Sequence, residues 1–213
     1  MKKCAIILII LAVIDLSMND KLILASSSPR RIELLTECKI PFEVVNHEFD
    51  EDSIKIKNPV RLVKELSRGK AESIAIKKEY YKKSVLGVDT IVVYQKRILG
   101  KPKSKKEAEE FIRLLSNKTH RVISGIALVN KEKSINIVKH SISFVKFAKI
   151  SKEFIKYYLD NNLWEGYAGG YAIQESFFNL VVEKIKGSYS NIVGLPVNVL
   201  YNMLKDTNFI TSY

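Results

Sequence analysis

Cysteine is scarce in this sequence. Only Cys4 and Cys38 occur among 213 residues, and Cys4 lies in an N-terminal segment that we do not assign to the folded unit. Two cysteines placed in this way do not support a disulfide framework. The sequence therefore fits best a protein of a reducing compartment.

Several familiar site motifs are also absent. The sequence contains neither Gly-x-x-x-x-Gly-Lys-Ser/Thr nor Gly-x-Gly-x-x-Gly, so it supports neither a P-loop nor a dinucleotide fingerprint. His47, His120 and His140 lie far apart, and the cysteines add no zinc pattern. A metal ion, if the protein uses one, should therefore be bound by oxygen atoms and shared with phosphates.

The N-terminus lacks an apolar run long enough for a transmembrane helix, which needs about 20 residues. Two lysines precede the apolar run Ala5–Ile14, Asp15 follows it directly, and no convincing small-x-small cleavage site follows. Three interpretations remain open: a signal or weak anchor, a helix packed on the domain, and a start codon assigned too early. We favour translation from Met18, because a strand would then follow the initiator at once. We expect an extension over residues 1–17 and a single domain over residues 18–213.

Apolar residues and positive charge are abundant. The apolar content of 46% is enough for a buried core, and usual domain sizes of roughly 100–200 residues suggest one or two domains. The formal net charge is +12 and the pI is about 9.5. Such a surface attracts anions, including nucleotides, nucleic acid and acidic lipid, although charge says nothing about the fold.

Apolar runs typical of strands alternate with helical patterns, which indicates an α/β fold. No repeat, low-complexity segment or Gly/Ser-rich linker divides the chain, so we expect one domain with two lobes. Asp89 is expected between two strand segments that close with a turn near Gln95-Lys96. The other expected strands are Lys21–Ala25, Phe42–Asn46, Thr119–Val129, Ile135–Ile150 and Val181–Ile185, and helices are expected from Pro29, from Pro59, after Ser104, after Ser151 and at Leu195-Pro196.

The stretch "LILASSSPRRIELL" places Arg30 and Arg31 in the first turn of a predicted helix. The exposed backbone N–H groups of a helix N-terminus favour an anion and disfavour a cation. A bound anion would offset both effects. The alternative is that the two arginines point into solvent or pair with Glu33 and Glu37.

The stretch "GVDTIVVYQKRILGKP" places Asp89 in an otherwise apolar run. A lone carboxylate is costly to bury unless it is paired, bound to a metal or faces a cleft, and such a group can act as a general base. The alternative is an Asp that closes a turn or caps a bulge beside Gly87. Lys101, between Gly100 and Pro102, is a candidate phosphate ligand.

Other candidate features are weaker by themselves. Lys70 follows a glycine in the middle of a predicted helix and could be an ordinary solvated lysine. "GYAGGYAIQ" suits close approach of the backbone to a flat ligand, and "GSYSNIVGLP" leads a glycine-containing loop into a helix, but loops without a ligand look similar. An acidic turn could supply oxygen ligands to a divalent cation, although such clusters are usually solvated; its residues are Glu48, Asp50, Glu51 and Asp52.

Taken together, "LILASSSPRRIELL", "GVDTIVV", "GKP", "GYAGGYAIQ" and "GSYSNIVGLP" resemble, in order and spacing, the Maf family of nucleoside triphosphate pyrophosphatases, over about residues 22–204. The resemblance implies a Maf/ITPase-like fold: a mixed central sheet flanked by helices in an elongated, two-lobed α/β domain with a nucleotide cleft. It also implies a cytoplasmic homodimer that limits incorporation of non-canonical nucleotides, with a link to cell division arrest.

The resemblance further implies a hydrolase acting on the α–β phosphoanhydride, with a divalent cation, Mg²⁺ or Mn²⁺. Asp89 matches the family's proton acceptor and, with Glu51, its metal-binding carboxylates. The Gln within "AGGYAIQ" is similar to the subfamily that prefers dTTP and UTP. The phosphate-binding positions match Ser26, Arg30, Arg31, Lys70 and Lys101, and the positions of substrate choice match Arg30, Thr90 and Gln174.

Two departures from the family pattern affect these expectations. Glu175 follows Gln174 where the family usually has Gly, which weakens the assignment of base preference, and the extension before Met18 affects localisation. Two alternatives stay open. One is a basic nucleic-acid-binding or septum-regulating protein without turnover. The other is a pyrophosphatase for another nucleotide, such as methylated GTP.

Overall fold

The computed structural model describes residues 21–210, which form a mixed α/β fold around a seven-stranded sheet. The expected α/β class is confirmed. The strands are β1 Leu22–Leu24, β2 Phe42–Val44, β3 Val85–Tyr94, β4 Arg97–Leu99, β5 Thr119–Asn130, β6 Ile135–Phe147 and β7 Val182–Lys186. The helices are α1 Pro29–Glu37, α2 Pro59–Ala75, α3 Lys105–Leu115, α4 Lys152–Asp160, α5 Tyr189–Val193 and α6 Val197–Asp206.

The sheet has the strand order β2-β1-β3-β5-β6-β7, and β4 pairs with the end of β3. β1 is parallel to both β2 and β3, whereas β3, β5, β6 and β7 pair antiparallel. β3 and β5 are long, while β1 and β2 have three residues each. β3 therefore extends beyond the carboxyl end of β1, its parallel neighbour.

Asp89 lies inside one continuous strand, so the expectation of two strand segments flanking it was wrong. β3 pairs with β5 without interruption from Val85 to Val93, and Asp89 stands opposite Gly125. A carboxylate interrupts the apolar pattern of the sequence, but it does not interrupt the backbone ladder of the strand. The turn expected at Gln95-Lys96 is confirmed.

The ends of several elements also differ from the expectations. The strand expected to reach Ile150 ends at Phe147, and the last helix begins after Pro196. The segment before it contains α5, which the sequence pattern suggested only as a loop. Ser188 caps α5 by accepting a hydrogen bond from the backbone N–H of Asn191. Because α5 has only five residues, it is too short to show a helical apolar period.

Helix α2 lies directly on the sheet because two strands carry glycine where the helix crosses them. A Cβ atom at Gly87 in β3 would overlap the carbonyl oxygen of Ser67, and one at Gly125 in β5 would overlap that of Val63. These close approaches bring the helix backbone against β3 next to Asp89. They therefore determine how near a side chain of α2 can come to that carboxylate.

The apolar core contains two large clusters. One surrounds α3 and α4 and includes the fully buried Tyr158, Phe147 and Phe178. The other joins β1 and β3 to α1 and α6 through residues such as Leu24 and Leu200. The elongated, two-lobed outline expected for the domain stays a prediction.

None of the helices within residues 21–210 combines the length and apolarity that a membrane crossing needs. The expectations for the apolar run and for translation from Met18 concern residues that lie outside the described part of the chain. The single domain expected over residues 18–213 stays a prediction.

Candidate active site

A cleft of about 810 Å³ collects most of the residues that the sequence singled out. Its wall is built from segments distant in sequence: the end of β1, the start of α1, the loop after β2, the middle of α2 and the centre of β3. Eight of the nine predicted site residues line it, namely Ser26, Arg30, Arg31, Glu51, Lys70, Asp89, Thr90 and Lys101.

The position of the cleft follows from the strand topology. β1 and β2 run parallel, so their carboxyl ends lie at the same edge, where ligands bind in open α/β sheets. Leu24 at the end of β1 pairs with Leu86 of β3, and Asp89 follows three residues later. Asp89 therefore lies beyond the end of β1, beside the turn that leads into α1.

Asp89 and Glu51 meet on the ammonium group of Lys70. Lys70 Nζ lies 2.7 Å from Asp89 Oδ1 and 2.8 Å from Glu51 Oε2. Lys70 and Asp89 are only 5% and 8% exposed, so each charge needs the other to offset its loss of hydration. Asp89 is thus paired and faces the cleft, which agrees with the general-base interpretation and not with a turn-closing Asp. Lys70 is not an ordinary solvated lysine.

Arg31 is held by three acceptors on three parts of the chain. Its Nη1 donates to Ser26 Oγ at 2.8 Å, its Nε donates to the carbonyl of Gly194 at 3.0 Å, and its Nη2 donates to Thr90 Oγ1 at 3.5 Å. Burial lowers the pKa of the Arg31 guanidinium to about 10, and Asp89 opposes that shift. The guanidinium stays protonated near neutral pH, in a fixed position on the cleft wall.

Arg30 lies against an aromatic ring. Its guanidinium carbon is 4.4 Å from the ring centroid of Tyr167, and its Nη2 donates to the carbonyl of Gly166 at 3.4 Å. Burial lowers its pKa as well. Both arginines thus line the cleft, and their contacts are with these groups and not with Glu33 or Glu37.

Lys101 lines the cleft, and its pKa depends on the charged groups around it. Its pKa is lowered first by partial loss of solvation, then by the positive charges of Arg31, Lys70 and Arg30. Among the described residues, neither Arg30 nor Lys101 has a carboxylate within ion-pair distance. Four cations thus share a cleft with four carboxylates, namely Glu51, Asp52, Asp89 and Glu165. An anionic ligand would relieve their mutual repulsion.

Gln174 is the predicted site residue that the structure does not place on the cleft wall. It follows the buried segment Tyr171–Ile173, and its side-chain oxygen is buried without a hydrogen-bond partner. From the same glycine-rich stretch the cleft is lined by Gly166, Tyr167, Ala168 and Tyr171. Its role in substrate choice stays a prediction.

Two cleft residues were missed by reasoning from the sequence. His47 lines the cleft with its Nε2 3.8 Å from Glu51 Oε1, and its pKa is lowered by burial and then by Lys70. An isolated histidine has no pattern that marks it. Tyr167 was quoted only as part of a motif, and its contact with Arg30 joins residues 137 positions apart, so no local signal predicts it.

Comparison with known proteins adds an independent observation. The model of the Maf-like protein family matches residues 21–207. A dTTP/UTP pyrophosphatase of Ruminiclostridium cellulolyticum is 43% identical over 188 residues, covering 88% of this chain and 96% of that protein. A protein of the same name from Treponema denticola is 44% identical, with coverages of 89% and 98%. One from Clostridioides difficile is 40% identical, with coverages of 86% and 93%.

Among solved structures, the Staphylococcus aureus Ham1 protein has a TM-score of 0.38 and 15% identity to this chain. The match covers 61% of this chain and 72% of that one. The similarity is too low to compare the two sites.

Proposed function

Because the chain belongs to the Maf-like protein family, we propose that it hydrolyses nucleoside triphosphates at the α–β phosphoanhydride, releasing pyrophosphate and a nucleoside monophosphate. The observation that carries this proposal is the meeting of Asp89 with Arg30, Arg31, Lys70 and Lys101 on one cleft. Three linked phosphates are the kind of ligand that such a group of cations binds.

In this reaction the attacking water gives its proton to Asp89 as its oxygen bonds to the α-phosphorus. The bond from that phosphorus to the bridging oxygen breaks, and pyrophosphate leaves with the electron pair. Lys70 holds the Asp89 carboxylate at 2.7 Å and so fixes the direction of its oxygen atoms. Arg30, Arg31 and Lys101 offset the charge of the triphosphate. Phosphoryl transfer depends mainly on such positioning and neutralisation.

The donor chemistry of the cleft fits a divalent metal ion. Asp89 and Glu51 both contact Lys70 Nζ, so two carboxylates lie close together where phosphates would bind. The described residues contain no group of three or more His, Cys, Asp or Glu side chains that could hold a metal ion. The pair of carboxylates suits Mg²⁺ or Mn²⁺, since Mg²⁺ is usually bound by one or two carboxylates with substrate phosphates and water. The bound metal would polarise the phosphoryl oxygens and neutralise their charge.

The substrates we propose are dTTP and UTP, because the relatives that match at 40–44% identity carry that name. Arg30 and Thr90 lie on the cleft wall, where they can contact a bound nucleotide. Gln174 lies off that wall, so the base preference has less support than the reaction. A methylated GTP is the alternative substrate.

We also propose a homodimer in the cytoplasm, as the resemblance implies, and no stable nucleic-acid partner. A nucleic-acid-binding protein would place its cations on a face away from Asp89. Here four of them share the cleft with Asp89, which favours the enzyme.

Product analysis tests the reaction. Purified protein is incubated with dTTP, UTP and a panel of modified nucleotides plus Mg²⁺, and the products are followed by ³¹P NMR. Pyrophosphate and monophosphate should appear together in equal amounts. Monophosphate with two separate phosphates from the start would contradict the proposed cleavage point, and absence of turnover with every nucleotide would overturn the proposal.

A further inference from the structure

Helix α2 contains a glycine, Gly69, next to Lys70 and far from either end of the helix. Glycine in a helix interior lowers stability relative to alanine, because its backbone loses more freedom on folding. The backbone of Gly69 is ordinary helix and does not require glycine. The reason for a glycine at this position must therefore lie in what packs against it.

The aromatic ring of Phe49 occupies the space where a side chain of residue 69 would be. A Cβ atom built on Gly69 would overlap three ring atoms of Phe49, namely Cζ, Cε1 and Cε2. The tip of the ring thus lies against the helix backbone at a place that a side chain on residue 69 would fill. Phe49 belongs to residues 47–53, the loop after β2, which we call the Glu51 segment.

This contact lies beside the one that the proposed reaction needs. Phe49 precedes Glu51 by two residues, and Gly69 precedes Lys70 by one, while Glu51 Oε2 lies 2.8 Å from Lys70 Nζ. Because only one residue separates Phe49 from Glu51, a shift of the ring along α2 should also move the Glu51 carboxylate relative to Lys70.

Other contacts of the Glu51 segment are exposed or lie within the segment. Lys77 Nζ and Glu48 Oε1 are 2.8 Å apart, but the Glu48 side chain is 79% exposed, and exposed ion pairs contribute little. Asp50 accepts a hydrogen bond from the backbone N–H of Asp52, and its carbonyl accepts one from Ser53. Those bonds shape the turn internally without attaching it to α2. The Phe49 ring is an apolar contact between this segment and α2.

We propose that the packing of Phe49 on Gly69 is a positioning contact, which sets the Glu51 segment on α2 and places the Glu51 carboxylate against Lys70. Its effect on turnover rests on the proposed pyrophosphatase function. Gly69 and Phe49 are positioning residues here, since neither acts on the substrate directly.

The test is a double-mutant cycle of Gly69→Ala and Phe49→Ala, read by stability and by kinetics. Gly69→Ala alone should displace the ring, so the protein should unfold at a lower urea concentration and kcat should fall at least tenfold. KM should change less, because Arg30, Arg31 and Lys101 lie on other segments. In the Phe49→Ala background, Gly69→Ala should change kcat less than twofold. It should also raise the folding equilibrium constant about fourfold, as expected from helix propensity alone.

Arg61→Ala, an exposed change on the same helix, is the matched control and should leave stability and kcat close to wild type. A Gly69→Ala effect of the same sign and size in both backgrounds would overturn the inference. So would a wild-type kcat in Gly69→Ala. If wild-type protein released no pyrophosphate, the proposed function would fail instead, and the stability cycle would still decide whether the ring and the glycine are coupled.

Discussion

Single side chains in the cleft differ in how firmly the protein holds them. Arg31 has three acceptors and Lys70 has two carboxylates, so both are fixed by the protein. Partial loss of solvation lowers the pKa of Lys101, and the positive charges of its strongest charged neighbours, Arg31, Lys70 and Arg30, lower it further. An incoming triphosphate would offset that repulsion, so the charge of Lys101 should matter for substrate binding.

Lys101 should therefore limit substrate binding at alkaline pH. Its pKa lies below the ordinary lysine value of 10.5, so the ammonium group loses its proton earlier as pH rises. KM for dTTP should rise over that range, while kcat changes less. Lys101→Ala should raise KM about tenfold at neutral pH, the effect of losing roughly 1.4 kcal/mol of phosphate binding. Initial rates from pH 7 to 10 measure this.

Lys101→Arg is the control, because an arginine side chain loses its proton at higher pH than a lysine side chain. It should keep a low KM and move the alkaline rise to higher pH. A KM profile identical in wild type and Lys101→Arg would show that another group causes the rise.

Sequence reasoning was strongest where one residue contradicts its surroundings. Asp89 in an apolar run and Arg30 and Arg31 in a first helical turn each carry an energetic cost, and that cost marks them. His47 and Tyr167 carry no such energetic cost in their local sequence. His47 contacts Glu51, four residues further along the same loop, where no helix or strand pattern marks the pair. Tyr167 contacts Arg30 across the fold, so no local pattern marks that pair either.

At the scale of elements, the site depends on how closely α2 approaches the sheet. Helix starts at Pro29 and Pro59 were predictable, because proline is suited to the first helical turn. The close approach was not predictable, since it requires Gly87 and Gly125 on strands that the sequence does not show to be neighbours. The burial of Lys70 next to Asp89 follows from that approach.

Gly125→Ala tests the approach. The added methyl group would overlap the carbonyl oxygen of Val63, so α2 or β5 must shift. We expect the free energy of unfolding to fall by about 1–3 kcal/mol, the usual cost of overpacking, with a loss of turnover. Urea denaturation measures the stability change. Gly100→Ala is the matched control, because a Cβ atom there has no atom within 4 Å, and its stability should match wild type.

β5 also carries a buried histidine that should make the protein sensitive to acid. His120 is 2% exposed, its Nε2 lies 2.7 Å from the Tyr171 hydroxyl, and burial lowers its pKa to about 3. In the unfolded chain the same group takes up a proton near pH 6.5. Between these values the unfolded state binds more protons, so stability falls as pH decreases, by at most about 1.4 kcal/mol per pH unit.

Thermal unfolding at a series of pH values between 7 and 3.5 measures this slope. In His120→Gln the slope should be smaller over that window, even if the overall stability is lower. Parallel curves for wild type and His120→Gln would show that His120 does not bind its proton differently in the two states.

At the scale of the whole molecule, the chain combines a net charge of +12 with a cleft in which four cations meet. The general charge attracts anions, and we expect the spacing of the side chains in the cleft to select among them. Composition alone predicted only the first of these properties. The second depends on segments brought together from positions 26 to 194, which the resemblance indicated and single motifs did not.

The most direct test of the account is the rate of pyrophosphate release from dTTP by wild type and Asp89→Asn, with dTTP affinity measured on both proteins. If Asp89 takes the proton from the attacking water, kcat should fall about 10²- to 10⁴-fold, while the dissociation constant changes only a few-fold. Glu110→Gln, an exposed change on α3, should leave both values close to wild type. A wild-type kcat in Asp89→Asn would contradict the account.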